Sequence, residues 1–268
     1  MQHSLILRLL GPIGFYGIVF LLTSCQAVQN APSVNQDLSR SSVPSASSAE
    51  VSPKVIALIE KLKKPAVDDR RSAVCYLGTL SSSAQAASPD LIPLLKDPNP
   101  KLRGSVVRTL RSVNLSEETT ISQVLPLISD SDVGVRIAVI ETLGSLGKAG
   151  ETTIPKIIPF LKDSNSLVRS AAAGALANMG ASLKPFSKEL IPQLMSLLKD
   201  PYPAVRSRSA LALGSMKETS AGAVSAIVPL LKDKDPEVQG SAATALKYIR
   251  NPAMTLPFIM VFPQIESC

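Results

Sequence analysis

Histidine and tryptophan are the residue types that this chain of 268 residues most clearly lacks, since it has one histidine, His3, and no tryptophan. A single imidazole near the N-terminus leaves none for a catalytic triad, a proton shuttle or a histidine metal site. The three cysteines lie far apart, so no pair has the spacing of a zinc site. No glycine-rich phosphate loop is present either. We therefore predict a protein that is not an enzyme and that holds no metal and no cofactor.

What the chain does contain is a leucine that returns at a nearly fixed interval. It stands at Leu77, Leu110, Leu143, Leu176, Leu213 and Leu246. Successive leucines are 33 residues apart, except for one step of 37 residues. A period of this length indicates stacked supersecondary units, none of which can bury its apolar face alone. The sequence therefore predicts a solenoid.

Turn and capping residues divide each unit into two helices. In the second unit a first helix is expected to begin at Ser88, because a proline and an aspartate follow it. Asn99 then caps a second helix. In the third and fourth units Gly147 and Gly180 are expected to end the second helix in the left-handed conformation. A proline recurs four residues before the turn aspartate and predicts a bend in the first helix at Pro93, Pro126, Pro159 and Pro229.

The repeated pattern resembles a known family. Residues 191–200 read Ile-Pro-x-Leu-x-x-Leu-Leu-Lys-Asp and are followed by Val205 and Arg206. This pattern resembles HEAT repeats of the phycobilisome-lyase-like kind over about residues 53 to 250. The resemblance implies an all-α fold, a right-handed α-α superhelix of about six helical hairpins, with the second helices on its concave side.

An aspartate and an arginine recur in each unit, six residues apart. The copies are Asp97 and Arg103, Asp130 and Arg136, Asp163 and Arg169, and Asp200 and Arg206. Their constancy from copy to copy favours a structural role, and in HEAT proteins such a pair resembles a ladder that ties turns to neighbouring second helices. Gln239 replaces the arginine in the last unit and is expected to end the ladder.

The variable face of the second helices is the candidate partner surface. Positions five and nine after each arginine lie opposite the apolar face and differ from unit to unit. A surface adapted to one partner and a surface under no selection would both vary in this way. From this face and the neighbouring basic residues, the candidate partner-binding residues are Arg71, Arg108, Arg111, Glu141, Asn178, Arg208 and Tyr248. We expect the partner to be a protein.

Positive charge is concentrated in the first two units. Residues 54–111 contain 11 Lys and Arg against five Asp and Glu, whereas residues 112–250 contain 15 against 13. This patch is either a solvated helix face or a site for an acidic partner or for phospholipid headgroups. Nucleic acid is not expected as a partner, because aromatic residues make up only 4% of the chain and do not alternate with the charges.

Cys75 stands at the fifth position of the first unit, where it faces the predicted groove. It is either an inert packing residue or a reactive thiol. A disulfide between Cys75 and Cys268 is not expected, because six stacked hairpins separate them.

The first residues have the pattern of an export signal, with Arg8 followed by an uncharged apolar run. Residues 22–25, Leu-Thr-Ser-Cys, resemble the lipobox of bacterial lipoproteins, which implies lipidation of Cys25. Ordinary secretion and an uncleaved anchor are the alternatives. We expect a signal peptide at 1–24, a flexible serine-rich linker at 25–52, the solenoid at 53–250 and an apolar tail at 251–268 that caps the stack.

These features together predict a non-catalytic scaffold for protein–protein interaction. It would be anchored by lipid to the membrane of the cell envelope, facing the periplasm or the outside, and would bind its partner along the concave second-helix surface. One alternative is a chromophore-handling protein related to phycobilisome or bilin lyases, although an export signal argues against it. A structural spacer of the envelope, without a specific ligand, is the other.

Overall fold

The computed structural model describes residues 51–113 and 116–251. The predicted signal peptide, almost the whole predicted linker, Cys25 with its lipidation, and the tail beyond Asn251 lie outside these residues. The described part of the chain is a stack of helical hairpins, and no helix in it is long and apolar enough to cross a membrane.

Twelve α-helices of the described residues pair into six hairpins. The first helices are α1 (Pro53–Leu62), α3 (Ser88–Leu91), α5 (Glu117–Val124), α7 (Ile154–Ile157), α9 (Ser187–Leu197) and α11 (Val224–Ile227). The second helices are α2 (Val67–Leu80), α4 (Pro100–Ser112), α6 (Val133–Ser145), α8 (Ser166–Met179), α10 (Pro203–Ser215) and α12 (Pro236–Arg250). Each second helix packs on the next one, and one core of buried aliphatic side chains runs through the stack. The predicted all-α solenoid is confirmed.

The recurring proline shortens the first helix of its hairpin. Pro93, Pro126, Pro159 and Pro229 each lie in a 3₁₀ segment that replaces the end of that helix. Proline has no N–H to donate and its ring crowds the preceding turn, which disfavours the α-helical pattern at this position. The fifth hairpin has Ser196 there, and its first helix, α9, remains α-helical although it contains Pro192 four residues earlier. The predicted bend is therefore a change from α to 3₁₀ geometry.

Polar side chains cap four of the six second helices, α6, α8, α12 and, as predicted, α4. The Asn99 side chain accepts a hydrogen bond from the Leu102 N–H at 3.2 Å, and Asp235 caps the last helix in the same way. Gly147 and Gly180 follow their helices with φ values of +53° and +48°. Ser88 differs from expectation, because it is already helical and its hydroxyl donates to the Gln85 carbonyl at 2.7 Å.

Small residues allow neighbouring second helices to approach closely. A Cβ atom on Gly144 would lie 2.5 Å from the Cα of Ala175, and one on Gly214 would lie 2.7 Å from the Cα of Ala245. These distances leave no space for a side chain at either glycine. Contacts between backbones thus fix the spacing of α6 to α8 and of α10 to α12.

The last hairpin leaves uncovered an apolar surface that the inner hairpins bury. Leu231 is 41% exposed, whereas the leucines at the same position of inner hairpins, Leu95, Leu161 and Leu198, are 5%, 1% and 3% exposed. Ala243 on α12 is also exposed, whereas Ala173, its counterpart on α8, is fully buried. The stack therefore ends in an open apolar face.

Candidate functional site

Arginine–aspartate pairs bridge consecutive hairpins at their turns. Arg103 donates through Nε and Nη2 to both carboxylate oxygens of Asp130, at 2.9 and 2.7 Å. Its Nη1 donates to the carbonyl of Asp97 in its own turn, at 2.8 Å. The same bridge recurs as Arg70–Asp97, Arg136–Asp163, Arg169–Asp200 and Arg206–Asp233. The predicted ladder residues are thus placed next to each other, one hairpin to the next.

The side chains of the ladder form hydrogen bonds with one another and with nearby backbone groups. The hydrogen bond from Arg103 lowers the pKa of Asp130 and, in return, raises the pKa of the guanidinium. Asp130 also accepts a hydrogen bond from the N–H of Asp132 at 2.9 Å. At the last turn Gln239 donates to the carbonyl of Asp233 at 2.6 Å in place of an arginine. Side chains committed in this way offer a ligand little to bind.

A second group of charged residues lies across the second helices and is the candidate site. We call it the second-helix cluster, and its members are Arg108 and Arg111 of α4, Glu141 of α6, Ser170 of α8, Arg208 of α10 and Glu237 of α12. Arg208 extends across α8 and donates through Nη1 to the Ser170 hydroxyl at 2.8 Å. The Ser170 hydroxyl in turn donates to the carbonyl of Ala204 at 3.3 Å. This arrangement brings charge from the fifth hairpin into the field of Glu141 in the third.

Glu141 is the most perturbed group of the cluster. Burial raises its pKa to about 7, and the charges of Arg108, Arg208 and Arg111 oppose that rise without cancelling it. Its Oε1 atom is buried and has no hydrogen-bond partner within residues 51–113 and 116–251. A buried oxygen in this state is costly to leave unsatisfied, so a ligand that donates a hydrogen bond there would be favoured.

Two arginines of the cluster, Arg108 and Arg208, differ from those of the ladder. Within residues 51–113 and 116–251, no carboxylate lies within 4 Å of Arg108 or Arg208, whereas every ladder arginine has one. Burial lowers the pKa of Arg208, and the charges of Glu141 and Glu237 oppose that change from a distance. The cluster therefore holds guanidinium groups whose charge is not neutralised by contact.

The other candidate residues, Arg71, Asn178 and Tyr248, are not among the members of the cluster. Arg71 on α2 and Asn178 on α8 are half-buried. Tyr248 is a correction, because it is only 8% exposed on α12 and so cannot offer an open aromatic surface. Cys75 is half-buried and disulfide-bonded, so the structure holds no free thiol there, and Cys268 lies outside the described residues.

Sequence reasoning missed two members of the site, Ser170 and Glu237. Ser170 stands one residue after a ladder arginine, and Glu237 two residues before the equivalent Gln239, at positions that we had not assigned to the groove. The sequence does contain one indication of the role of Ser170. It is a small residue in the fourth hairpin, and the long side chain of Arg208 follows in the fifth. No group of three or more potential metal ligands occurs among the described residues.

The comparisons with known proteins agree with this architecture. Residues 121–189 and 191–259, together just over half of the chain, match the family model for HEAT repeats. No curated protein matches the sequence. A designed armadillo repeat protein in complex with the peptide (KR)4 is similar at 19% identity over 73% of this chain and 99% of that one, with a TM-score of 0.58. The Escherichia coli protein YibA is similar at 24% identity, over 74% and 71% of the two chains, with a TM-score of 0.55.

The complex of CpcE and CpcF of phycocyanin lyase from Nostoc is similar at 21% identity over 60% of this chain and 98% of that one, with a TM-score of 0.47. At that level it carries no weight for function, and the two stronger likenesses bear on the fold alone. The repeated hairpins, the recurring ion pairs and the two matched stretches agree, and the chain belongs to the HEAT-repeat family.

Proposed function

We propose that this protein is a non-catalytic scaffold, tethered to the bacterial envelope, that binds a protein partner along its second helices. A HEAT-repeat stack is suited to protein binding because it presents an extended surface built from many similar units. The observation that carries the proposal is the second-helix cluster, in which, among the described residues, Arg108 and Arg208 contact no carboxylate and the buried Oε1 of Glu141 accepts no hydrogen bond. The designed repeat protein of similar fold was solved with a peptide bound.

Lack of catalysis is proposed from the chemistry of the residues. Of the groups in the cluster, only Glu141 has a pKa suited to proton transfer near neutral pH. In the part of the chain that the structure describes, no nucleophile is seen hydrogen-bonded to it, and the Ser170 hydroxyl is engaged by Arg208 and a backbone carbonyl. A binding role would use Arg108, Arg208 and Glu141, whereas a catalytic role would use Glu141 alone.

Attachment to the envelope is proposed from the sequence alone. The Leu-Thr-Ser-Cys ending of the apolar N-terminal run would supply Cys25 for lipidation. Two or more acyl chains on one residue give stable anchoring, because each buried CH₂ contributes about 0.8 kcal/mol. The serine-rich residues 26–52 would then be a flexible tether.

The binding surface can be tested by photo-crosslinking in living cells. A photoreactive residue is placed at Leu211, which lies on α10 in the second-helix layer, and as a control at Lys162, which is exposed in the first-helix layer. We expect one discrete crosslinked partner from Leu211 and none from Lys162. Equal crosslinking from both positions, or crosslinking from Lys162 alone, would contradict a second-helix binding surface.

The tether is tested separately by metabolic labelling with a clickable fatty acid. The chain should be labelled and should fractionate with membranes, and Cys25→Ala should abolish both properties. Ser41→Ala, in the predicted linker, is the control and should change neither. A Cys25→Ala protein that remains labelled and membrane-bound would disprove the anchor without affecting the proposed binding surface.

A further inference from the structure

Charge alternates along the second helices within the described part of the stack. Arg108 and Arg111 of α4 are positive, Glu141 of α6 is acidic, Arg208 of α10 is positive, and Glu237 lies at the start of α12. The charge of Glu141 acts on both Arg111 and Arg208, and that of Glu237 acts on Arg208. The charges of the cluster therefore act on one another across several hairpins, and positive and negative groups alternate along it.

We propose that the second-helix cluster binds an extended acidic peptide segment of the partner. One carboxylate of the segment binds at Arg108, a second binds at Arg208, and a hydrogen-bond donor between them binds at Oε1 of Glu141. This inference rests on the proposed scaffold function and adds the chemistry of the partner to it.

Guanidinium chemistry supports carboxylates as the ligands. The planar guanidinium matches a carboxylate through two parallel hydrogen bonds, and the ladder of this protein shows that geometry in Arg103–Asp130. Arg208 uses one hydrogen bond on Ser170 and has donors left over. Both arginines therefore retain the means to bind an incoming acid.

The second-helix layer between α6 and α10 is built from small, buried residues of α8, with Gly174 four residues after Ser170, so a bound peptide would cross α8 over small side chains. Packed helices lie about 10 Å apart, and the Arg208 guanidinium reaches Ser170 on α8, two helices from α4, so it lies roughly 20 Å from α4. An extended peptide rises about 3.3 Å per residue and would cover this distance with about six residues. An extended segment also carries the N–H groups that Glu141 lacks as partners.

The acidic residues of the cluster argue against a partner whose surface is uniformly negative. An anionic membrane or a simple polyanion would be attracted by the arginines but repelled at Glu141 and Glu237. A peptide can place a donor opposite Glu141 and carboxylates elsewhere. The alternation of charge thus favours a peptide over a lipid surface.

The test measures binding of defined probes to the full chain by fluorescence anisotropy. The probe is a labelled peptide of about ten residues with alternating Glu and Ser, and the comparison probe has alternating Lys and Ser. We expect the Glu–Ser peptide to bind in a salt-dependent way and the Lys–Ser peptide not to bind. Vesicles of phosphatidylglycerol, tested by co-sedimentation, are expected to bind less than the peptide.

Single substitutions then locate the binding. Arg108→Gln and Arg208→Gln should each lower the affinity for the Glu–Ser peptide about tenfold or more, since a hydrogen bond to a charged group is lost. Arg250→Gln removes the same charge from an exposed residue at the end of α12 and should change affinity by less than about twofold. Thermal unfolding of each variant shows whether it is folded, and Arg208→Lys tests the two-pronged geometry separately from charge.

Three results would overturn the inference. They are preferential binding of the Lys–Ser peptide or of neither peptide, equal weakening by Arg208→Gln and Arg250→Gln, and binding of phosphatidylglycerol vesicles in place of the peptide. If Leu211 still crosslinks to a partner in cells, such a result rejects the acidic peptide but leaves the scaffold function standing. If crosslinking fails as well, both proposals fall.

Discussion

Arg206 joins the fifth hairpin to the sixth by donating to both carboxylate oxygens of Asp233, with Nε 2.8 Å from Oδ2 and Nη2 2.7 Å from Oδ1. Its Nη1 also donates to the carbonyl of Asp200 at 2.9 Å, and both side chains of the pair are 9% exposed. Arg136 and Asp163 form the looser copy of this pair, with Nη2 3.5 Å from Oδ2 and a buried Nε that has no partner. The ladder is therefore not uniform along the stack.

This difference predicts unequal effects of removing the two arginines. Arg206→Met leaves Asp233 buried without its partner and should lower the free energy of unfolding by about 3–5 kcal/mol. Arg136→Met should cost less, because the ion pair it removes is longer and less complete. Urea denaturation of the two variants measures the comparison. Equal losses would mean that the ladder stabilises through the turn carbonyls alone and not through the carboxylates.

Close helix packing predicts an opposite response of two glycines to the same substitution. Gly144→Ala would place a Cβ 2.5 Å from the Cα of Ala175, so α6 and α8 must separate, at a cost of about 1–3 kcal/mol or more. Gly240→Ala is the control, because it lies in α12 with nothing within 4 Å of the added atom. There the change should stabilise the helix by about 0.5–1 kcal/mol. Thermal unfolding measures both variants. A change of Tm in the same direction for both would refute this account of the packing.

Burial of Glu141 predicts that stability falls as the pH rises. Its pKa is raised from 4.5 to about 7, so the folded protein binds a proton that the unfolded chain releases between these values. The contribution to stability is present in full below pH 4.5 and is lost as the pH rises through about 7, amounting to on the order of 2–3 kcal/mol. Glu141→Gln should remove this dependence and be more stable than the parent at pH 8.

Urea denaturation at pH 5, 6, 7 and 8 measures the effect. Glu117→Gln is the control, since Glu117 is exposed in the first turn of α5 and should leave the pH profile unchanged. A Glu141→Gln protein whose stability falls with pH in parallel with the parent would show that another group controls the profile.

Much of the fold follows from local rules of the sequence. The period of the leucines predicts the stack, and Asn99, Gly147 and Gly180 predict the ends of helices, because capping and left-handed turns depend on one or two neighbouring residues. Ser81 and Lys217 adopt the same left-handed conformation without a glycine, at φ values of +51° and +55°. The local sequence gives no sign of that conformation at either position.

The candidate site is less accessible to sequence reasoning, because it is assembled across hairpins. Arg108 and Glu141 stand at the predicted groove position of their units, and the structure brings their charges into one cluster. The contact of Arg208 with Ser170 depends on two different positions in two hairpins and on the small residues between them. A repeat alignment compares equivalent positions, so it cannot reveal a contact between positions that are not equivalent. The burial of Tyr248 was missed for a similar reason, since position nine is more buried at the end of the stack.

The open end of the stack predicts a role for the apolar tail that follows it. Leu231 and Ala243 are exposed where the inner hairpins bury the equivalent residues. Residues 253–263 include eight apolar residues of eleven, and they continue directly from the end of α12. A segment attached this close has a high effective concentration at the face, which favours it over a second molecule. We therefore expect the tail to cover this face.

A chain ending at Asn251 should accordingly unfold at a lower temperature and self-associate, because its apolar end face is left to water or to another copy. Leu231→Ser should destabilise the full chain, in which the tail packs on it, and have little effect on the shortened chain. Leu167→Ser is the matched control, because Leu167 is 60% exposed on α8 and should give the same small effect in both backgrounds. Calorimetry and sedimentation velocity measure the two properties. If the shortened chain is equally stable and monomeric, or if Leu231→Ser acts alike in both backgrounds, the tail does not cap the stack.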